Sequence, residues 1–316
     1  MTTARSMIAA CAVAAALALS TGAAPAQTYG YSTLPPGTLN YTTASAIAKV
    51  LKEKAGLNVL VQPAAGGNVT VPIVGRGEAE IGSVNIMEPQ DYLDRFKDLR
   101  LICAINALRT PFFVRKDSAM RTIANLRGKR VSLGFSAMRT IDTVARAMLA
   151  TAGLTEADIK PVLVPNVVRS ADDFVAGAAD MFFFAFGAAK VREVDVTVGG
   201  IRVLEIDEKG MPAARKIMPW GYLTDVAPGP IFTGVEKPMK VYSFDNVLIT
   251  HAKVPDEFIY KMLDTMERHK ADLVAIQPVL REFSGQFAYK QYGGVPYHSG
   301  ALKYFKDKSL QPMKLE

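Results

Sequence analysis

From residue 29 onward, apolar positions come in short blocks whose spacing switches between that of a strand and that of a helix. Residues 29–33 and 58–62 read as strands. Between them, Ile47, Val50 and Leu51 recur at helical spacing in 41–55, after a Pro-Pro-Gly turn at 35–37. Thr38 is placed to cap that helix and Gly56 to end it. A loop at 63–68, a short helix, a turn marked by Gly75 and Gly77, and a strand at 79–84 ending at Asn85 complete a first series. A second series follows: strands at 112–115, 131–133 and 159–164, and helices at 144–152 and 170–177. In 179–186 the four phenylalanines Phe182, Phe183, Phe184 and Phe186 read as a buried strand, followed by another at 200–206. Residues 220–229, rich in Pro and Gly, read as a crossing back; then come a strand at 242–250 and helices at 256–268 and 272–283. Pro255 marks the start of the first of these helices, and Pro278 kinks or breaks the second.

This alternation predicts a parallel α/β architecture. A chain that leaves one α/β lobe, builds another and returns makes a two-lobed fold with a hinged ligand cleft. The expected division is lobe one over 27–113, lobe two over 114–228, and a return to lobe one with C-terminal helices over 229–316.

In such sheets ligands sit beyond the carboxyl ends of the strands, where the loops 36–40, 66–68 and 85–87 fall. The stretch 126–140 adds a strand, a loop and the helix start at Thr140-Ile141-Asp142. Free backbone N–H groups and the positive end of the helix dipole there make an anion site. Arg139 can add a planar fork for a carboxylate; equally, this is an ordinary βα connection with a surface arginine. The candidate ligand contacts are Thr38, Asn40, Tyr41, Gly67, Asn68 and Asn85 from lobe one, with Phe135, Ser136, Met138, Arg139, Thr140 and Phe186 from lobe two. In that scheme a carboxylate docks on Arg139 and the loop amides, and Asn40, Asn68 and Asn85 close over it. Arg169 is the reserve anion partner, its other reading a surface salt bridge.

The first 26 residues read as a signal peptide: Arg5, an apolar run at 7–19, and Ala24-Pro25-Ala26 before a cut. Export to the periplasm is therefore expected, with about 290 of the 316 residues left for one large domain or two smaller ones. No later stretch approaches the roughly 18 apolar residues of a membrane span. Loss of Arg5 takes the formal charge from +7 to +6, spread without a long basic run. That disfavours nucleic acid and suits small anions. Cys103 is left as the only cysteine, in an apolar run, and reads as a buried inert thiol. No G-x-S-x-G, H-E-x-x-H or cysteine pair offers catalysis or a metal site, and His251, His269 and His298 read as structural or exposed. No enzyme activity, cofactor or metal is expected, and the chain is expected to be a monomer.

Four stretches, in order, carry a resemblance over nearly the whole mature chain. They are Gly37-Thr38 with Ala46-Ile47-Ala48-Lys49, and 63–69 followed by Gly75-x-Gly77-Glu78-Ala79-Glu80-Ile81-Gly82. The others are Leu126-x-Gly128-Lys129-Arg130-Val131 with Gly134, Ala145-Arg146-Ala147 and Ala152-Gly153-Leu154, then Pro296-x-His298-x-Gly300-Ala301-x-x-Tyr304. Together they resemble the TAXI-type solute receptor, the extracytoplasmic subunit of tripartite TRAP transporters. The resemblance implies a type II periplasmic-binding-protein fold, affinity for a small organic anion, and delivery to TRAP membrane permease subunits without chemistry. The chain departs from the family pattern at Leu39-Asn40-Tyr41, at Ala137-Met138-Arg139-Thr140 and at Asn85. Glutamate is therefore not carried over. Met138 and Arg139 beside Phe135 and Phe186 point to a larger or more apolar carboxylate. A receptor for an ABC or tricarboxylate-type transporter, or a periplasmic sensory receptor, uses the same fold, and an exported enzyme is the remaining alternative.

Overall fold

The computed structural model describes residues 27–315; the expected signal peptide and its cleavage after Ala26 lie outside the described residues. Strands β1 (Thr28–Thr33), β2 (Asn58–Pro63) and β3 (Ile81–Asn85) pair in parallel with β1 in the middle. Helix α1 (Leu39–Ala55) joins β1 to β2, and α2 (Gly67–Gly75) joins β2 to β3. The expected cap is present: the Thr38 hydroxyl accepts the Tyr41 N–H at 3.2 Å and donates to the Pro35 carbonyl at 2.7 Å. Gly56 ends the helix in the left-handed region, φ 66°, where a Cβ is strained. Thr38→Ala is expected to cost about 1 kcal/mol in urea unfolding. A loss below about 0.3 kcal/mol would mean that water replaces the cap without penalty.

After the single turn α3 (Met87–Gln90) comes a strand the sequence pattern hides, β4 (Leu99–Arg109). Its central residues are buried on both faces, so apolar residues run almost without alternation and the period-2 signal is lost. β11 (Met239–His251) lies antiparallel to β4 on one side and to β3 and β10 (Tyr222–Val226) on the other, Ser243 pairing with Arg109 of β4 and Tyr222 of β10. The Pro- and Gly-rich stretch expected to cross back is thus itself partly a strand.

The second lobe has its own pairing. β5 (Phe112–Arg115) runs antiparallel to β8 (Phe182–Phe183) and β9 (Ile201–Val203), and β6 (Arg130–Leu133) runs parallel to β7 (Lys160–Leu163). Around them lie α4 (Arg139–Thr151), α5 (Val167–Val175), α6 (Ala189–Thr197) and α7 (Met211–Ile217). The phenylalanine run yields only two strand residues, Phe182 and Phe183; the Phe183 N–H donates to the Ser170 hydroxyl at 3.3 Å. The return is not one crossing: β10 rejoins the first sheet, then Gly234 accepts from the Val203 N–H before β11 begins.

Helix α8 (Asp256–Arg268) has the expected bounds. The following helix, α9 (Lys270–Ile276), stops ahead of Pro278, which opens a 3₁₀ turn at Pro278–Glu282. α10 (Gly285–Ala288) and α11 (Ser299–Asp307) complete the first lobe. His298 caps α11, its Nδ1 accepting the Gly300 N–H at 3.1 Å. On β11, buried Asp245 accepts from Lys290 Nζ at 2.8 Å and from the hydroxyls of Tyr222 and Tyr292 at 2.6 Å each. Cys103 is buried and free, and burial pushes its thiol pKa up, as an inert thiol requires. Among the described residues no helix is long and apolar enough to cross a membrane.

Candidate functional site

Between the lobes the starts of α1 and α4 face the end of β3, and the chain passing from β4 to β5 closes one side. Thr38, Asn40, Asn85, Glu88 and Thr110 supply the polar lining, and Leu108, Met138, Ile141, Phe183 and Phe244 are among the apolar wall. The space is about 40 Å³, enough for a few water molecules. The lobes touch around it. Asn68 Nδ2 donates to the Ser136 carbonyl at 3.3 Å, and the Lys190 N–H donates to the Gly37 carbonyl at 3.2 Å. Gly66 lies so close to lobe two that a Cβ there would stand 1.9 Å from the Ala137 carbonyl oxygen. These contacts hold the two sides of the cleft together.

Asn40 is tied into an amide chain: its Nδ2 donates to Asn246 Oδ1 at 3.0 Å, and Asn246 Nδ2 donates to Asn106 Oδ1 at 3.2 Å. Asn106 and Asn246 belong to β4 and β11, the long strands next to the crossings. Asn85 Oδ1 accepts the N–H groups of Met87 and Glu88 at 3.0 and 3.1 Å, and its own N–H donates to Glu88 Oε2 at 3.1 Å. That reciprocal turn sends Glu88 back into the protein, where it is 3% exposed. Its carboxyl rests on the backbone of Gly67, where a Cβ would meet Oε1 at 1.9 Å. Burial pushes its pKa up to about 7, against the lowering effect of the Asn85 hydrogen bonds. Among the described residues, Glu88 is the only ionisable side chain lining the cavity.

Of the residues expected from sequence, the cavity gathers Thr38, Asn40, Asn85 and Met138. Gly67 and Asn68 contribute indirectly, one by making room for Glu88 and the other by bridging to Ser136. Arg139, the expected anchor, is the exposed first residue of α4 and does not line the cavity. Its charge acts at the rim on Asp91 of lobe one, whose carboxyl pKa is raised by burial and lowered in part by Arg139. Phe135 is packed edge-on to Phe183 in the lobe-two core, and Phe186 edge-on to Phe113 and Phe232. Both are buried, away from this space. Tyr41 and Thr140 also lie outside the lining. Arg169 pairs with Asp173 at 2.8 Å within α5, the surface salt bridge of its alternative reading. Sequence reasoning missed Glu88 and Thr110. The one signal for Glu88 was an Asn three residues before an acid, which marks a turn.

The NMT1-like family profile matches residues 32–308. Among solved structures, the chain is similar to PhnD1 from Prochlorococcus marinus in complex with methylphosphonate: TM-score 0.55, 10% identity, 81% of this chain and 90% of that one. It is also similar to the amino acid ABC transporter substrate-binding protein AbpA from Streptococcus pneumoniae bound to L-arginine: TM-score 0.50, 12% identity, 80% and 94% covered. The alkanesulfonate-binding protein SsuA from Xanthomonas axonopodis pv. citri bound to MOPS aligns at TM-score 0.49 and 15% identity, covering 90% and 85%. At these identities the likeness is one of fold, that of a type II periplasmic binding protein.

Proposed function

The chain belongs to the NMT1-like family, and from that premise we propose that it is an exported solute receptor, closing on a small molecule and presenting it to a membrane transporter. The observation that carries this reading is the cavity walled by both lobes and sealed by contacts between them. Binding without chemistry fits a lining whose single ionisable group, Glu88, has no nucleophile beside it. The ligand that suits the lining has an apolar body against Leu108, Ile141, Phe183 and Phe244 and one polar end toward Asn85 and Glu88. A carboxylate finds no arginine or lysine there and would have to rely on the amides at the starts of α1 and α4.

An ABC importer is the transporter class we propose, in line with the role of AbpA as a substrate-binding protein of an ABC transporter. The second reading is a TRAP permease, favoured by the four ordered segments of the TAXI resemblance, of which His298 and Gly300 form the cap of α11. Neighbouring genes separate the two, an ATPase supporting the first and multi-spanning TRAP subunits the second.

Gly66→Ala tests the receptor reading. Its Cβ cannot coexist with the Ala137 carbonyl, so the lobes must stay apart. The expected penalty on closure is about 1–3 kcal/mol, or roughly 10- to 100-fold in affinity. A thermal-shift panel of organic acids, sulfonates, phosphonates and amino acids identifies the ligand, since about a hundredfold excess over Kd adds roughly 2.7 kcal/mol. Equal affinity in the wild type and the variant would refute binding by closure.

A further inference from the structure

Beside the cleft lies a second space of about 510 Å³ with walls from both lobes, within the roughly 300–1,000 Å³ range of small-molecule sites. Lobe two contributes the start of α6 with Arg192. Lobe one contributes Thr42 and the segment 277–281 with Arg281, and the return segment 227–233 closes the third side. Both arginines are exposed, and neither has a carboxylate partner among the described residues. Arg95, Arg100, Arg115, Arg121, Arg139 and Arg215 likewise have no ion pair among the described residues; what sets Arg192 and Arg281 apart is that both line one cavity, from opposite lobes.

The acids nearest in sequence are already committed. Glu193 and Asp172 both hold Lys190 at 2.7 Å, and Glu282 holds Arg109. Gln277, 6% exposed, adds a fixed polar wall through its Nε2 donating to the Thr42 hydroxyl at 2.7 Å. Ile231, Phe232 and Pro278 supply an apolar wall. Two guanidinium groups without an ion pair, one from each lobe, thus line a single cavity. An anion between them would make two charge-assisted, fork-shaped contacts.

We propose that this cavity is a second binding site, for a small organic dianion whose acid groups bridge Arg192 of lobe two and Arg281 of lobe one and so favour the closed form. Its carbon skeleton lies against Ile231, Phe232 and Pro278. The site is separate from the cleft cavity, which neither arginine lines, so its fate does not depend on which solute the cleft takes.

The test is isothermal titration of the full mature chain with succinate and with citrate at constant ionic strength, alongside small-angle scattering. Saturable binding of at least one of them is expected, weakened at least about tenfold in Arg192→Ala and equally in Arg281→Ala. Arg215→Ala, an exposed arginine outside this cavity, should leave it unchanged. The anion should also reduce the radius of gyration of the wild type but not of Arg192→Ala. No saturable heat from either anion at about 10 mM overturns the proposal. So does binding that survives in the double variant, or a crystal structure that puts the anion between Asn40 and Glu88.

Discussion

Lys290→Met is expected to destabilise the protein by about 3–5 kcal/mol, the usual result of removing one partner of a buried ion pair. Asp245 and Lys290 are 3% and 7% exposed at the side chain, so water cannot replace the lost ammonium. The Tyr222 and Tyr292 hydroxyls would remain on the carboxylate; they solvate the charge without neutralising it. That same carboxylate raises the pKa of both phenols, after burial itself, so neither tyrosine gives up its proton at neutral pH. Adding Asp245→Asn to Lys290→Met should recover a large part of the loss, because the uncompensated charge disappears while the tyrosines keep an oxygen acceptor. Urea unfolding of the two variants and the wild type checks this. If Lys290→Met costs less than about 1 kcal/mol, as an exposed pair would, the pair is not sealed from solvent.

The second large effect is on the pH dependence of stability, and it belongs to Glu88. Its pKa of about 7 lies above the ordinary value of 4.5, so the folded protein holds this proton more tightly than the unfolded chain does. Between those two pH values the native state binds more protons, and stability falls as pH rises. Glu88 thus costs nothing below about pH 4.5 and its full penalty above about pH 7, roughly 3 kcal/mol for a displacement of this size. Glu88→Gln keeps the shape and removes the titration. The expected result is a smaller drop in the urea midpoint between pH 5 and pH 8 than in the wild type, with most of the gain at pH 8. An unchanged difference between the two pH values would show that the wild-type carboxyl reaches solvent. The same titration bears on ligand choice: above pH 7 the cavity carries a negative charge and prefers a hydrogen-bond donor or cation at that end. Below pH 7 it offers a neutral acid that can itself donate.

Much of the frame was legible because its signals are local. Thr38 and Gly56 bracket α1 through their own backbone geometry, and Pro255 and Pro278 delimit α8 and α9 by what a proline cannot do. The positions at strand ends followed from the α/β rule, which is why Thr38, Asn40 and Asn85 reach the cavity. What the sequence concealed depends on contacts between distant segments. Glu88 is buried only because Gly67, on a different helix, leaves it room; read alone, an acid after Asn85 is a surface group. Arg139 stands at a helix start as expected, but the direction of its side chain follows from how the lobes meet. The phenylalanine cluster was rightly read as buried, yet the rings that border the cleft are Phe183 and Phe184 rather than Phe186.

The bond between Asn40 and Asn246 joins positions 206 apart in sequence, and it belongs to an unusual order of assembly. β11 separates β4 from β3 and β10, so the middle of the first sheet is supplied by a segment that emerges late. A nascent chain leading with its N-terminus can build the parallel β1–β2–β3 unit and the whole second lobe early. The β3 edge then stays unpaired, and Asn40 lacks its partner, until residues 239–251 arrive. Closing such long loops is entropically slow. The cavity between the lobes is accordingly late to mature, and a chain interrupted before β11 exposes a sticky sheet edge beside it.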